Sequence, residues 1–297
     1  MRDLRTIFLI EESEDANMDL DIAYESLMDG NVANSYMHIL SLLKEELSQI
    51  KNEKLPISFL RFCGISSKES FEEIKKDIHE GRLTFSNPFN FNDPMDPILK
   101  VWIKIHKNQA GDHRDKKFFK MVANALKNMR ICCMADYSKL SNNAPLMWSH
   151  YANSHKGIAI KYRINEDIIN KYNDDKQLLR ISPIAYRKRK PLTDSITLDN
   201  AFLSKGKCWS YEAEHRLIYF TTESSTIKEV DDKTGDIKRK NYLSLSGFEI
   251  AEVYLGAEID PKKQQEICKI AKEKRIPTFK MRYDTYDITR LECEEYK

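Results

Sequence analysis

The chain has 297 residues, 41 % hydrophobic and 32 % charged, with 48 Lys and Arg against 46 Asp and Glu. That length supports one large domain or two modest ones with a substantial core, and the near-neutral charge excludes a global basic field as a means of holding nucleic acid, though not a local patch. Nine glycines argue against glycine-rich phosphate loops, and the six cysteines lack C-x-x-C spacing and adjacent His pairs, so neither a zinc site nor a disulfide scaffold is expected.

In chain order, residues 1–55 are expected to form a helical extension. Ile7-Phe8-Leu9-Ile10 is too short for a signal or anchor, and no apolar run could span a bilayer. Tyr36, Ile39, Leu40, Leu43, Leu47 and Ile50 recur at helical spacing with charges between them, which predicts an amphipathic helix ended by Pro56. The main domain, 56–297, opens with a strand at Ile57–Cys63 carrying Arg61. A capping signal at Ser66-Ser67-Lys68-Glu69 introduces a helix that buries Phe71, Ile74 and Ile78 and stops at Gly81. A short strand to Ser86 follows, then the turn-rich loop Asn87-Pro88-Phe89-Asn90-Phe91-Asn92-Asp93-Pro94-Met95-Asp96, read either as a pocket wall or as a self-capped turn.

Residues 100–128 read as basic and helical, Met129–Met134 as a buried strand, Pro145–Ala152 as a short aromatic helix, Lys156–Tyr162 and Ile181–Tyr186 as strands, and Leu198–Lys205 as a helix. The basic run Arg187-Lys188-Arg189-Lys190 is either a solvated turn or a nucleic-acid contact. Then comes Cys208-Trp209-Ser210-Tyr211-Glu212-Ala213-Glu214-His215-Arg216, leading into an apolar strand. In an extended chain Glu212, Glu214 and Arg216 share a face, so charge is stacked at the mouth of a core strand. Ions in that position need partners, which makes the triplet a salt-bridged pin or a site. Residues 222–240 are expected to be a polar hairpin loop, with strands at Tyr242–Leu245, Glu249–Leu255 and Thr278–Tyr283 and a helix at Pro261–Lys274. Irregular alternation of strands and helices gives an α+β class with a mixed central β-sheet and flanking helices.

Four ordered motifs, Leu60-Arg61-Phe62, Phe91–Asp96, Met147–Ala152 with His155-Lys156-Gly157, and Trp209–Arg216, resemble the bacterial family called domain of unknown function 2971 over about residues 57–285. A second resemblance is to ADP-ribosyltransferases, through an arginine on an early strand (Arg61), a strand ending in serine (Ser86) and a Glu-x-Glu at the head of a later strand (Glu212 and Glu214). The middle motif departs from that family as Thr84-Phe85-Ser86, and Arg216 follows the glutamates.

This second resemblance implies an ADP-ribosyltransferase-like fold and an NAD-consuming enzyme of the bacterial cytoplasm, an effector in phage defence or a toxin system, acting on protein or nucleic acid. It implies that Glu214 holds the ribose 2′-hydroxyl and stabilises the sugar cation while Glu212 orients or deprotonates the acceptor. Arg61 would meet the pyrophosphate, and Ser86 would bond the nicotinamide-side ribose or brace the strand. Trp148 and Tyr151 would offer ring faces and His150 a polar edge, with Asn92 completing the cofactor-binding set. The alternatives are a non-catalytic nucleotide- or protein-binding module, and a metal-dependent nuclease built on Asp93, Asp96, Glu212 and Glu214. The N-terminal helices are expected to regulate access, bind a partner or dimerise.

Overall fold

The computed structural model describes residues 26, 30–55, 57–91, 93, 95–97, 113–140, 144–188, 198–230, 237–284 and 291–296. Asn92, Arg189 and Lys190 therefore lie outside the described residues, as do 1–25 and 100–112. Ten strands among those described form one mixed sheet. Its centre is β3 (Met129–Asp136), flanked along one edge by β8 (Glu214–Thr221), which pairs in turn with β5 (Gln177–Pro183).

The opposite edge of β3 is shared. Strand β1 (Ile57–Cys63) meets only its end, at Phe59↔Asp136 and Leu60↔Ala135, while β2 (Arg82–Ser86) meets it only at Ser86↔Ile131. Both run antiparallel to β3 and hence parallel to each other. The segment Cys132–Met134 is left without a strand partner on that edge, so the sheet splits into two wings. One wing is β2 with β11 (Tyr242–Ser246); the other continues from β1 through β4 (Ile158–Ile164), β12 (Glu249–Leu255), β13 (Thr278–Tyr283) and β14 (Leu291–Glu295). The β12–β13 pair is parallel and makes the sheet mixed.

Helices cover both faces, which explains why every residue of β8 is buried instead of alternating with solvent. Ile218 and Phe220 pack with α1 (Val32–Ser48), whose Ile39, Leu40, Leu43 and Leu47 join the same apolar cluster. Leu217 and Tyr219 face the other way, among Phe71, Ile74 and Ile78 of α2 (Lys68–Glu80). Burial of each such side chain contributes roughly 1.5–3 kcal/mol. The amphipathic N-terminal helix thus packs on the main sheet. Helix α2 is capped by Ser67, whose reciprocal partner is Ser70 and not the nearer glutamate, and it ends on Gly81 at φ 60°, a conformation that suits glycine.

Several expectations shift. The predicted helix 198–205 ends early: α6, which we number after α3 (His113–Ala125), α4 (Ala144–Tyr151) and α5 (Glu166–Lys171), spans Leu198–Leu203, and Ser204–Gly206 form strand β7 beside β6 (Ala185–Arg187). The 222–240 region contains a helical turn, α7 (Ser224–Ile227), and a hairpin of β9 (Lys228–Val230) and β10 (Ile237–Arg239). Helix α8 is Pro261–Glu273. Among the described residues no helix is long and apolar enough to cross a membrane.

Candidate functional site

A cleft of about 540 Å³ opens where the sheet splits, with Ile131–Ala135 of β3 as its floor. All four sequence motifs deliver side chains to it: Leu60, Arg61 and Phe62 from β1; Phe91, Asp93 and Asp96 from the loop after β2; Met147 and Tyr151 from α4; and Trp209, Glu212 and Glu214 from the approach to β8. Ser86, Thr84 and Lys205 complete the polar lining. Its size and mixed apolar and polar walls suit a small-molecule ligand.

Behind the split, Asp77 of α2 ties the two wings together. It is 1 % exposed. Its Oδ2 accepts from Arg61 Nη1 at 3.2 Å and from Thr84 Oγ1 at 2.9 Å, and its Oδ1 accepts from Arg82 Nε at 3.2 Å. The ion-pair partner of Arg61 is therefore Asp77, and not Glu212 or Glu214. A guanidinium has five N–H donors, so this bond leaves donors for a ligand in the cleft that Arg61 lines.

The Glu-x-Glu pair adopts a different geometry from one extended strand. Residues Lys207–Glu212 form a 3-10 turn, Ala213 takes φ 45°, and β8 starts only at Glu214. The carboxylates meet through Lys205, whose Nζ donates to Glu212 Oε2 at 2.5 Å and Glu214 Oε2 at 3.0 Å and lies 3.8 Å from Asp96 Oδ2. The same ammonium stands 5.2 Å from the centre of the Trp209 ring. Arg216, fully buried, donates to Glu214 Oε1 at 2.7 Å, Asp96 Oδ2 at 2.6 Å and the Phe202 carbonyl at 2.6 Å. The Tyr186 hydroxyl accepts the Glu214 N–H at 2.8 Å, which fixes the head of the strand.

These environments push the two carboxylates apart. Burial raises the pKa of Glu212 more than Lys205 lowers it, so the acid form is favoured beyond the usual carboxylate range. Burial opposes ionisation of Glu214 too, but Arg216 and Lys205 outweigh it and bring its pKa down to about 2. Tyr151 donates its hydroxyl to Glu212 Oε1. One glutamate is thus a fixed anion and the other is suited to exchanging a proton.

Other expected site residues fall elsewhere. Trp148 is 3 % exposed and packs edge-on against Phe62, so it belongs to the core and presents no ring face to the cleft. Alternation along the short helix explains this: Met147 and Tyr151, one turn apart, face the cleft, and Trp148 between them faces inward. His150 is exposed outside the cleft lining, with Nδ1 3.2 Å from the Tyr211 hydroxyl. The His155-Lys156-Gly157 motif is architectural. Asn153, Ser154 and His155 all have positive φ, and a Cβ on Gly157 would stand 2.2 Å from the Cys63 carbonyl oxygen, so only glycine lets this turn close against β1.

Sequence reasoning missed Lys205, which looked like the end of a polar helix; nothing local marks a lysine that meets its carboxylates only in three dimensions. It also gave Asp93 and Asp96 one reading. Both line the cleft, but Asp93 also caps its turn, accepting the Met95 N–H at 2.8 Å, whereas Asp96 turns to Arg216.

A family model described as "Protein of unknown function (DUF2971)" matches residues 147–217. The chain is similar to that family over this stretch, which spans the third and fourth motifs and contains Tyr151, Lys205, Trp209, Glu212 and Glu214. No curated protein and no solved structure matches the chain.

Proposed function

We propose that the cleft binds NAD and that the protein is an ADP-ribosyltransferase-like enzyme. The observation that carries this reading is the convergence of Arg61, Ser86, Glu212 and Glu214, distant in sequence, on one cleft at the split of the sheet. The defence or toxin setting and the cytoplasmic location rest on the resemblance alone and belong to the same proposal.

On this reading the donors that Arg61 retains meet the pyrophosphate, because a planar guanidinium forms charge-assisted bonds to adjacent oxygens. Ser86 bonds the nicotinamide-side ribose. Cleavage of the glycosidic bond sends its electron pair to nicotinamide and leaves positive charge on the sugar, as in other glycosyl transfers. Glu214, ionised at any working pH, stabilises that charge, although Arg216 and Lys205 already offset part of its field. The acceptor nucleophile then forms the new bond to the sugar carbon and gives its proton to Glu212, whose pKa burial raises above the usual carboxylate range and so makes it a stronger base than an ordinary carboxylate. Tyr151 and Lys205 hold Glu212 in place. The acceptor is a protein or a nucleic acid.

A binding module without turnover is the second reading, and Lys205 favours it, since an ammonium between the glutamates already satisfies them in part. The nuclease reading is the less favoured, because Lys205 Nζ holds the point where Asp96, Glu212 and Glu214 converge. The test is release of nicotinamide from NAD by the wild-type chain and its loss in Glu214→Gln, which removes the carboxylate that stabilises the sugar cation. Binding without release favours the module, and absence of both overturns the NAD reading.

A further inference from the structure

The inner end of the cleft holds an unmet demand. Asp96 is 4 % exposed and lines the cleft, yet only one of its oxygens is satisfied. Oδ2 accepts from Arg216 at 2.6 Å; Oδ1 is buried with no hydrogen-bond partner among the described residues. A buried carboxylate oxygen left unpaired costs free energy, and a donor supplied by a water or a ligand in the cleft would remove that cost.

The surrounding charge narrows the identity of that donor. Among the described residues, Asp96, Glu212 and Glu214 face the cations Lys205 and Arg216, so the cluster holds three carboxyl groups against two cations. Arg61 shares Asp77 with Arg82, and Arg82 also pairs with Glu73 and Glu80, so this group of charges is matched within itself. An anionic ligand group finds no unmatched cation here among the described residues, and a hydrogen-bond donor is favoured. Shape narrows it further: the Phe91 ring lies over the Arg216 guanidinium, 5.5 Å from its carbon, and lines the cleft beside Asp96. A planar ring against Phe91 with an N–H group reaching Oδ1 satisfies both features.

We propose that Asp96 is a specificity-determining residue that accepts an N–H of a ring-bound primary carboxamide through Oδ1 and rejects the corresponding carboxylate. The inference rests on the NAD reading and deepens it: the nicotinamide end of the dinucleotide lies at the acidic inner end of the cleft. It also gives the Phe91–Asp96 motif a task beyond capping its own turn. A site built to satisfy a hydrogen bond discriminates strongly against an analogue that cannot make it, and a carboxylate facing a carboxylate lacks the donor and adds repulsion.

The test is calorimetric titration of the full chain with NAD and with its nicotinic acid counterpart, in which the carboxamide is a carboxylate. The wild type is expected to favour the carboxamide form by at least about tenfold. In Asp96→Asn, where the side-chain oxygen can still face Arg216 and the amide can donate into the cleft, the preference is expected to vanish or invert. A merely structural role for Asp96 would weaken both ligands alike. Should Asp96→Asn fail to fold, the wild-type pair of titrations still decides. Equal binding of both ligands by the wild type, or an unchanged preference in a folded Asp96→Asn, overturns the inference while leaving NAD binding intact. Binding of neither overturns both readings. Selective carboxamide binding without nicotinamide release upholds the inference and removes the transferase.

Discussion

Two buried aspartates, Asp77 and Asp96, flank the same cleft and both engage arginine, but they end in opposite states. Asp77 sits behind the split with both oxygens satisfied, bridging Arg61 on β1 to Arg82 and Thr84 on β2. Asp96 lines the opening, with one oxygen on Arg216 and the other without a hydrogen-bond partner among the described residues. The first is a closed clamp that holds the wings at a fixed separation; the second is an open acceptor. Burial and an ion pair alone do not distinguish a pin from a site. What distinguishes them is whether the hydrogen-bonding capacity is exhausted.

Breaking the clamp should have the largest effect. Asp77→Ala leaves Arg61 and Arg82 without their buried anion and is expected to destabilise the fold by about 4 kcal/mol in chemical denaturation. Next comes the acid limb of stability. The folded pKa of Glu214 lies near 2 against an ordinary 4.5, so its contribution is complete above the ordinary value and is lost as pH falls toward the folded one. Wild-type stability should therefore drop by about 3 kcal/mol across that window, and Glu214→Gln should flatten the drop.

Asp96→Ala is expected to cost about 2 kcal/mol, less than Asp77→Ala, because it removes one satisfied oxygen and one unsatisfied one. A cost equal to that of Asp77→Ala would erase the contrast between the two aspartates. The smallest effect belongs to Tyr151→Phe, about 1 kcal/mol for one hydrogen bond. Because the Tyr151 hydroxyl helps to lower the pKa of Glu212, its removal should raise that pKa and move the acidic limb of the ADP-ribosyl-transfer profile to higher pH.

The parts of the fold written in local pattern were legible in the sequence. The helix of Phe71, Ile74 and Ile78 announces itself by period and caps, and β1, β3 and β12 by apolar runs. What stayed hidden depends on distant partners. Strand β14 is Leu291-Glu292-Cys293-Glu294-Glu295, unremarkable until Lys280 and Arg282 of β13 stand opposite Glu294 and Glu292. The three-residue strands β6 and β7 are too short to carry a period, yet β7 places Lys205.

The site was legible in the same partial way. Arg61, Ser86, Tyr151, Glu212 and Glu214 could be singled out as a set through the resemblance to ADP-ribosyltransferases, and they line one cleft. Trp148 could not be separated from Tyr151, since aromatic identity does not reveal which side of a helix meets the core. The turn at Ala213 broke the simple alternation that would place Glu212 on the strand with Glu214.

The central claim is that this split of the sheet is a dinucleotide site with its acidic end at the reacting sugar. A crystal structure of Glu212→Gln soaked with NAD tests it most directly. The account predicts the pyrophosphate against Arg61, the nicotinamide-side ribose between Ser86 and Glu214, and the carboxamide within hydrogen-bonding distance of Asp96. A dinucleotide bound elsewhere, or an intact cleft that stays empty at saturating NAD, would contradict it.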